Sequence, residues 1–204
     1  MESLEFDIRP LTPQRLGDLL NFFEQRAFAD HPKWASCYCH FPHADHDNIV
    51  WAERTGEQNR AATCQRVAEG TMMGWMAYAD TGDGHGSQAV GWCNAGPRRF
   101  IEGMLDEPEP LAAQIGAIAC FVVAPEFRGR GVARALLNAA CGGLREQGFE
   151  WAEAYPRRDV TGAGANHFGP LAMYLAAGFG VHGAEGDDGF VMRTRLRAAG
   201  AATP

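Results

Sequence analysis

Between Ile118 and Gly148 an apolar run passes through a glycine-rich turn into a segment of helical periodicity. The run "IACFVVAP" carries branched and aromatic side chains and no charge, the pattern of a buried strand. Beyond the turn, "GVARALLNAACGGLREQG" places Val132, Ala135, Leu136, Leu137, Ala139 and Ala140 against a polar side with Asn138, Arg145 and Glu146, as in an amphipathic helix. The intervening "EFRGRG" therefore sits at a strand-to-helix junction. Unpaired N–H groups at a helix start and the helix dipole attract anions, and glycine lets a phosphate approach the backbone closely. Arg128 and Arg130 add charge in a fork geometry suited to phosphate. The plainer alternative is a glycine turn with two solvated arginines.

Two familiar nucleotide loops do not fit these residues. A Walker loop needs Gly-Lys followed by Ser or Thr, and a dinucleotide fingerprint needs a third glycine where this chain has Arg134. The spacing Arg128-x-x-Gly131-x-Ala133 instead resembles the pyrophosphate loop of the GCN5-related N-acetyltransferases. The neighbouring residues extend the likeness. "FVVAP" resembles the family's strand that splays from its neighbour and pairs with the pantetheine arm of coenzyme A, and "LAMYLAAGF" at 171–179 resembles its later helix. The match runs from about "FDIRPLT" to "FVMRTRL", and the cysteine-bearing N-terminal segment is similar to that of a bacterial subgroup.

The resemblance implies an α/β (α+β) fold with a mixed, mostly antiparallel central sheet flanked by helices. It also implies an acetyl-CoA-dependent N-acetyltransferase in which the amine attacks the thioester directly. Phe121, Val122 and Val123 would pair with the cofactor, and Arg128, Gly129, Arg130, Gly131, Val132 and Ala133 would hold its pyrophosphate. Tyr174, by position before Gly-Phe, would face the sulfur and protonate the leaving thiolate; its alternative is an ordinary core aromatic. "QIGAIACF" offers no carboxylate for a general base; Glu102, Asp106 and Glu107 in the preceding loop could reach the site through water, but read more simply as solvated loop charges. Cys120 reads as a small buried hydrophobe rather than a nucleophile.

The segment "HPKWASCYCHFPHADHD" clusters His31, Cys37, Cys39, His40, His43 and His46. Cys-x-Cys-His is not a pair-of-pairs zinc spacing, so no metal is expected. By the resemblance this region covers the acceptor pocket, where Trp34, Tyr38 and Phe41 would form an apolar wall and His40 or His43 would orient an amine or accept its proton; the equal alternative is that these residues simply pack the loop down. In "GWCNAG" the strand alternation places Trp92 and Asn94 on one face and Cys93 on the other, making Asn94 a candidate pocket group. Arg157 and Arg158 read as loop charges that could also meet a phosphate of the cofactor.

At 204 residues and 46% hydrophobic, the chain suits a single domain over 1–197 with a frayed tail at 198–204. Six cysteines and an opening "MESLEFDIRP" without a secretory pattern imply reduced thiols and a cytoplasmic setting. A net charge of −7 disfavours nucleic acid and is compatible with a cationic acceptor. No apolar stretch is long enough for a bilayer. The expected partner is a small-molecule amine, and a homodimer stays open. Two other readings are a non-catalytic acyl-CoA-binding regulatory module and a small zinc-binding protein. Expected elements are a first strand at "FDIRPL", a helix in "PQRLGDLLNFFEQRAFA", a loop over 30–55, a helix ending at Gly70, strands at "MMGWMAYAD", "QAVGWCNAG" and "FEWAEAYP", and a last strand at "GFVMRTRL".

Overall fold

The computed structural model describes residues 5–82, 84, 86–101, 110–158, 166–185 and 188–196. Strand β1 (Asp7–Pro10) leads through a 3-10 turn at Pro13–Arg15 into α1 (Leu16–Gln25). The apolar spacing of α1 turns Leu19, Phe22 and Phe23 into the core. No α-helix or strand forms between 30 and 55; the segment instead makes 3-10 turns at Pro32–Cys37, Phe41–His43 and Trp51–Glu53. Helix α2 (Gly56–Glu69) opens on a reciprocal cap between Thr55 and Gln58 and closes on Gly70, whose φ of 70° only glycine adopts cheaply.

Strands β2 (Gly74–Asp80), β3 (Ser87–Pro97) and β4 (Ile115–Val123) come next as an antiparallel meander. Helix α3 (Val132–Glu146) buries Val132, Leu136, Leu137, Ala140 and Leu144 along one stripe. Burying each of these leucines contributes about 1.5–3 kcal/mol. Glycines in the sheet let α3 lie close: a Cβ on Gly91 would stand 2.6 Å from Val132 Cγ1, and one on Gly116 would stand 2.5 Å from Leu144 Cδ2. The start of α3, and with it the glycine loop, is thereby held against the middle of the sheet.

The chain continues through β5 (Trp151–Ala154), α4 (Leu171–Ala176), β6 (Gly180–Glu185) and β7 (Gly189–Arg195). The sheet order is β1-β2-β3-β4-β5-β7-β6. All neighbours are antiparallel except β4 and β5. This is the mixed, mostly antiparallel sheet expected from the sequence, with β6 as an added strand. "GVHGAE" has two glycines and only one large apolar residue, so its strand character comes from pairing with β7 rather than from its own pattern.

Where β4 meets β5 the pairing stops early. The register runs from Ile115↔Trp151 to Ile118↔Ala154, after which β5 ends and β4 continues to Val123. The outer half of β4 therefore keeps one edge unpaired by its parallel neighbour.

Inside the sheet, Glu153 is fully buried yet well neutralised. It accepts from Arg98 Nε at 2.9 Å, Arg193 Nε at 2.5 Å and the Tyr155 hydroxyl at 2.5 Å. A carboxylate with that many charged or hydroxyl donors is a structural tie between β5, β7 and the Arg98–Phe100 turn. Among the described residues no helix is long and apolar enough to cross a membrane.

Candidate active site

The divergence of β4 from β5 opens a cavity of about 520 Å³. Cys120–Val123 of β4 form one wall, and Phe41, Trp51 and Arg54 of the N-terminal segment stand among those that form another. Arg157, His167 and Phe168 complete the side vacated by β5.

At the end of β4 the glycine loop has the geometry an anion requires. Gly129 and Gly131 lie at φ of 72° and 93°, in the left-handed region, and a Cβ on either would find nothing within 4 Å. The first bond of α3 runs from Ala135 N–H to Gly131 O at 3.0 Å, so the N–H groups of Val132, Ala133 and Arg134 have no helical acceptor. Among the described residues no side chain caps them. Together these residues fit a pyrophosphate: an open backbone concavity at the positive end of a fifteen-residue helix. Arg128 donates from Nε to Val123 O at 3.1 Å and from both terminal nitrogens to Asp30, tying the loop to the N-terminal segment. Arg130 is exposed and lies 5.6 Å over the Phe127 ring.

The groups expected to perform chemistry meet at one turn. Phe121 N–H donates to His167 O at 2.6 Å, and the Tyr174 hydroxyl donates to Phe168 O at 2.6 Å. Tyr174 is fully buried, with its ring 5.2 Å from Phe179 and 6.5 Å from Phe121. Burial holds its hydroxyl well above the ordinary tyrosine range, so it is protonated and able to donate. In this state the 167–168 turn occupies both donors.

Of the four residues assigned to the acceptor pocket, Trp34 lines the cavity, stacked at 4.0 Å on His31. The other three stand behind the wall. Tyr38 turns its ring edge-on to Phe23 in the core and its hydroxyl to Glu24 Oε1 at 3.2 Å. His40 is buried, its Nδ1 has no partner among the described residues, and burial together with the Arg54 and Arg66 charges lowers its pKa to about 4. Asn94 is buried and donates to Cys39 and to His43 Nε2, the latter at 2.9 Å. His43 Nδ1 lies 2.9 Å from Phe100 O, which places its proton there and leaves Nε2 as acceptor; burial lowers its pKa to about 4. Trp92 and Asn94 do share a face of β3, turned toward Cys39, whereas Cys93 lies on the α3 side near Cys141. Glu102, Asp106 and Glu107 lie outside the described residues.

Cys39 is the cavity residue with the least local explanation. Tyr38 and Cys39 both adopt left-handed backbone, at φ of 46° and 55°, which side-chain-bearing residues seldom do. The turn brings the Cys39 sulfur to the Cys120 thiol and to Asn94 Nδ2 at 3.3 Å. The buried Trp92 indole N–H faces the same sulfur without regular hydrogen-bond geometry. These donors, the Cys120 thiol first, lower the Cys39 pKa, while Cys120 as the giving partner is raised well above its usual range. Cys120 thus behaves as a buried thiol bonded to its neighbour. Burial raises Cys37 to about 11. Among the described residues no group of three or more His, Cys, Asp or Glu side chains is arranged to hold a metal ion.

Sequence reasoning missed Trp51, Arg54 and the 167–168 turn. The one local signal was "RTGEQ", whose capping box places Arg54 immediately before the Thr55 cap of α2.

A sheet that divides beside a glycine-lined helix start sets an open strand edge next to an anion cradle. The chain belongs to the acetyltransferase (GNAT) family, whose model matches residues 18–163. Solved structures of the same fold include an N-acetyltransferase from Staphylococcus aureus Mu50, with TM-score 0.56 and 14% identity over 95% of this chain and 99% of that one. An N-acetyltransferase from Thermoplasma acidophilum in complex with coenzyme A gives TM-score 0.54 and 16% identity over 94% and 99%. YncA from Salmonella typhimurium with its cofactor acetyl-CoA gives 0.53 and 14% over 97% and 98%. A comparison with curated proteins finds no match.

Proposed function

We propose that this protein is an acetyl-CoA-dependent N-acetyltransferase that acetylates the primary amine of a small molecule by direct attack. The observation that carries the reading is the outer half of β4, left open on its β5 side, set beside the open Gly129–Gly131 cradle and lining a cavity of about 520 Å³. Acetyl-CoA supplies the activated acyl group as cosubstrate. The N–H groups of Val132–Arg134 hold its phosphates. The Phe121 N–H, once His167 O yields it, hydrogen-bonds the acyl oxygen where negative charge develops. Tyr174, protonated because it is buried, hydrogen-bonds or protonates the departing sulfur when its bond to Phe168 O is exchanged. The new C–N bond forms as the C–S bond breaks, and the proton lost by the amine balances the one gained by the thiolate.

A second reading, an acyl-CoA-binding module without turnover, is favoured by the same two hydrogen bonds. Phe121 N–H and Tyr174 are both engaged by the 167–168 turn, as in a site that binds but does not react. A thermal-shift titration with acetyl-CoA followed by a thiol-release screen of primary amines separates the two. At a hundredfold excess over Kd, binding adds about 2.7 kcal/mol and raises Tm by roughly 5–11 °C in a domain of this size. A saturable shift with thiol release supports the enzyme; a shift with no release for any amine supports the module. No shift at millimolar acetyl-CoA removes both.

A further inference from the structure

The charge of the cavity wall is opposite to that of the chain. The protein carries a net −7, yet the charged side chains lining the cavity among the described residues are Lys33, Arg54, Arg128 and Arg157, with no aspartate or glutamate. Arg128 is neutralised by Asp30, and Arg157 lies 5.4 Å over the Phe168 ring on the far side. Arg54 stands beside Phe41 and Trp51, which meet edge to face at 5.0 Å.

Arg54 is held in a fixed pose. Its Nε donates to Asn59 Oδ1 at 2.6 Å and one Nη2 proton points to Gln58 O at 3.3 Å. Asn59, itself buried, is anchored through Nδ2 to Ser36 O at 2.9 Å. One side of the guanidinium is therefore used for positioning. Among the described residues its terminal edge, Nη1 and the second Nη2 proton, makes no bond and its charge has no ion pair. A planar cation oriented by a buried amide, with its fork left open, is a receptor for a planar anion.

We infer that the acceptor amine also carries a carboxylate and an aromatic-sized apolar body, as an aromatic amino acid does, with Arg54 receiving the carboxylate and Phe41 and Trp51 the apolar body. The inference rests on the acetyltransferase reading for the word acceptor, but not for the binding it describes. It replaces the cationic acceptor that the net charge allowed: a polyamine would meet like charges here and no carboxylate among the described residues.

The test has two arms. In the first, thiol release from acetyl-CoA is compared between L-phenylalanine or L-tryptophan and the matching amines without a carboxylate, phenethylamine and tryptamine. The expected result is a kcat/KM at least tenfold higher for the amino acids. Arg54→Gln should abolish that preference through a roughly ten- to hundredfold loss on the amino acids, with coenzyme A affinity unchanged. In the second arm, N-acetyl-L-phenylalanine is titrated by calorimetry into the coenzyme A complex of the wild type, Arg54→Gln and Arg54→Lys. Wild-type binding weakened by Arg54→Gln, and partly restored by lysine, supports the site. Equal or better use of tryptamine overturns the acceptor class while leaving the acetyltransferase intact. Thiol release from no amine, with N-acetyl-L-phenylalanine still bound through Arg54, removes the activity and keeps the carboxylate site. No binding of that compound to the wild type, or a loss of coenzyme A affinity in Arg54→Gln, overturns the assignment of Arg54. If Arg54→Gln fails to fold, the wild-type preference in the first arm decides.

Discussion

Replacing Tyr174 by phenylalanine separates two roles that one hydroxyl could play. The ring would keep its place against Phe121 and Phe179, so packing is conserved and only the oxygen is lost. That oxygen donates to Phe168 O at 2.6 Å from a fully buried position. Removing the donor leaves a poorly hydrated carbonyl without its partner, a cost of about 1–3 kcal/mol. At 2–4 °C per kcal/mol for a chain of this length, Tm should fall by roughly 2–12 °C. A hydroxyl that served solely as a general acid, waiting for a sulfur, would leave Tm unmoved. The assay is a melt of both proteins without ligand, paired with steady-state thiol release and an acetyl-CoA titration. The expected outcome is a lower Tm, a lower kcat and a nearly unchanged Kd. A variant as stable as the wild type would refute the hydrogen bond as a structural tie. Unchanged kcat would remove Tyr174 from proton transfer.

The glycine loop and the buried histidine give two further tests. Gly131→Glu places a side chain at φ 93°, in open space that the phosphates would occupy, so acetyl-CoA affinity should fall at least tenfold by titration; unchanged affinity would sink the cradle. His43 is neutral when folded, with a pKa lowered to about 4 by burial, and near 6.5 when unfolded. Between these values the unfolded chain takes up the proton that the native site refuses, so stability falls as pH drops from 6.5 to 4 and His43 adds no further loss below that. The loss is about 3 kcal/mol. Denaturant melts of His43→Gln should show a flatter pH slope in that window, and an unaltered slope would mean that His43 is not the buried neutral group. His40 titrates in the same direction.

How much of this site was readable beforehand depended on how local each cause was. Strand β4, the glycine turn and α3 arise from hydrophobic period and turn chemistry within about thirty residues, as do the Thr55 cap and the Gly70 stop of α2. Strand β6 was not readable, because "GVHGAE" becomes a strand only on meeting β7. Asn94 was assigned to the right face of β3, yet that face is covered by Cys39 and His43, which arrive from 51–55 residues away in sequence.

Taken alone, the sequence determined the order of strands and helices around the glycine loop and the place of Tyr174 before Gly-Phe, because each is written in spacing along the chain, and its motifs carried the resemblance to the family. Only the tertiary structure decided that β5 stops at Ala154 and leaves β4 open, and that Arg128 pairs with Asp30 of the N-terminal segment. It alone turned an acidic chain into a cavity whose described charges are cationic. Net charge sums over the whole surface, whereas a ligand meets only the side chains that folding brings to one wall.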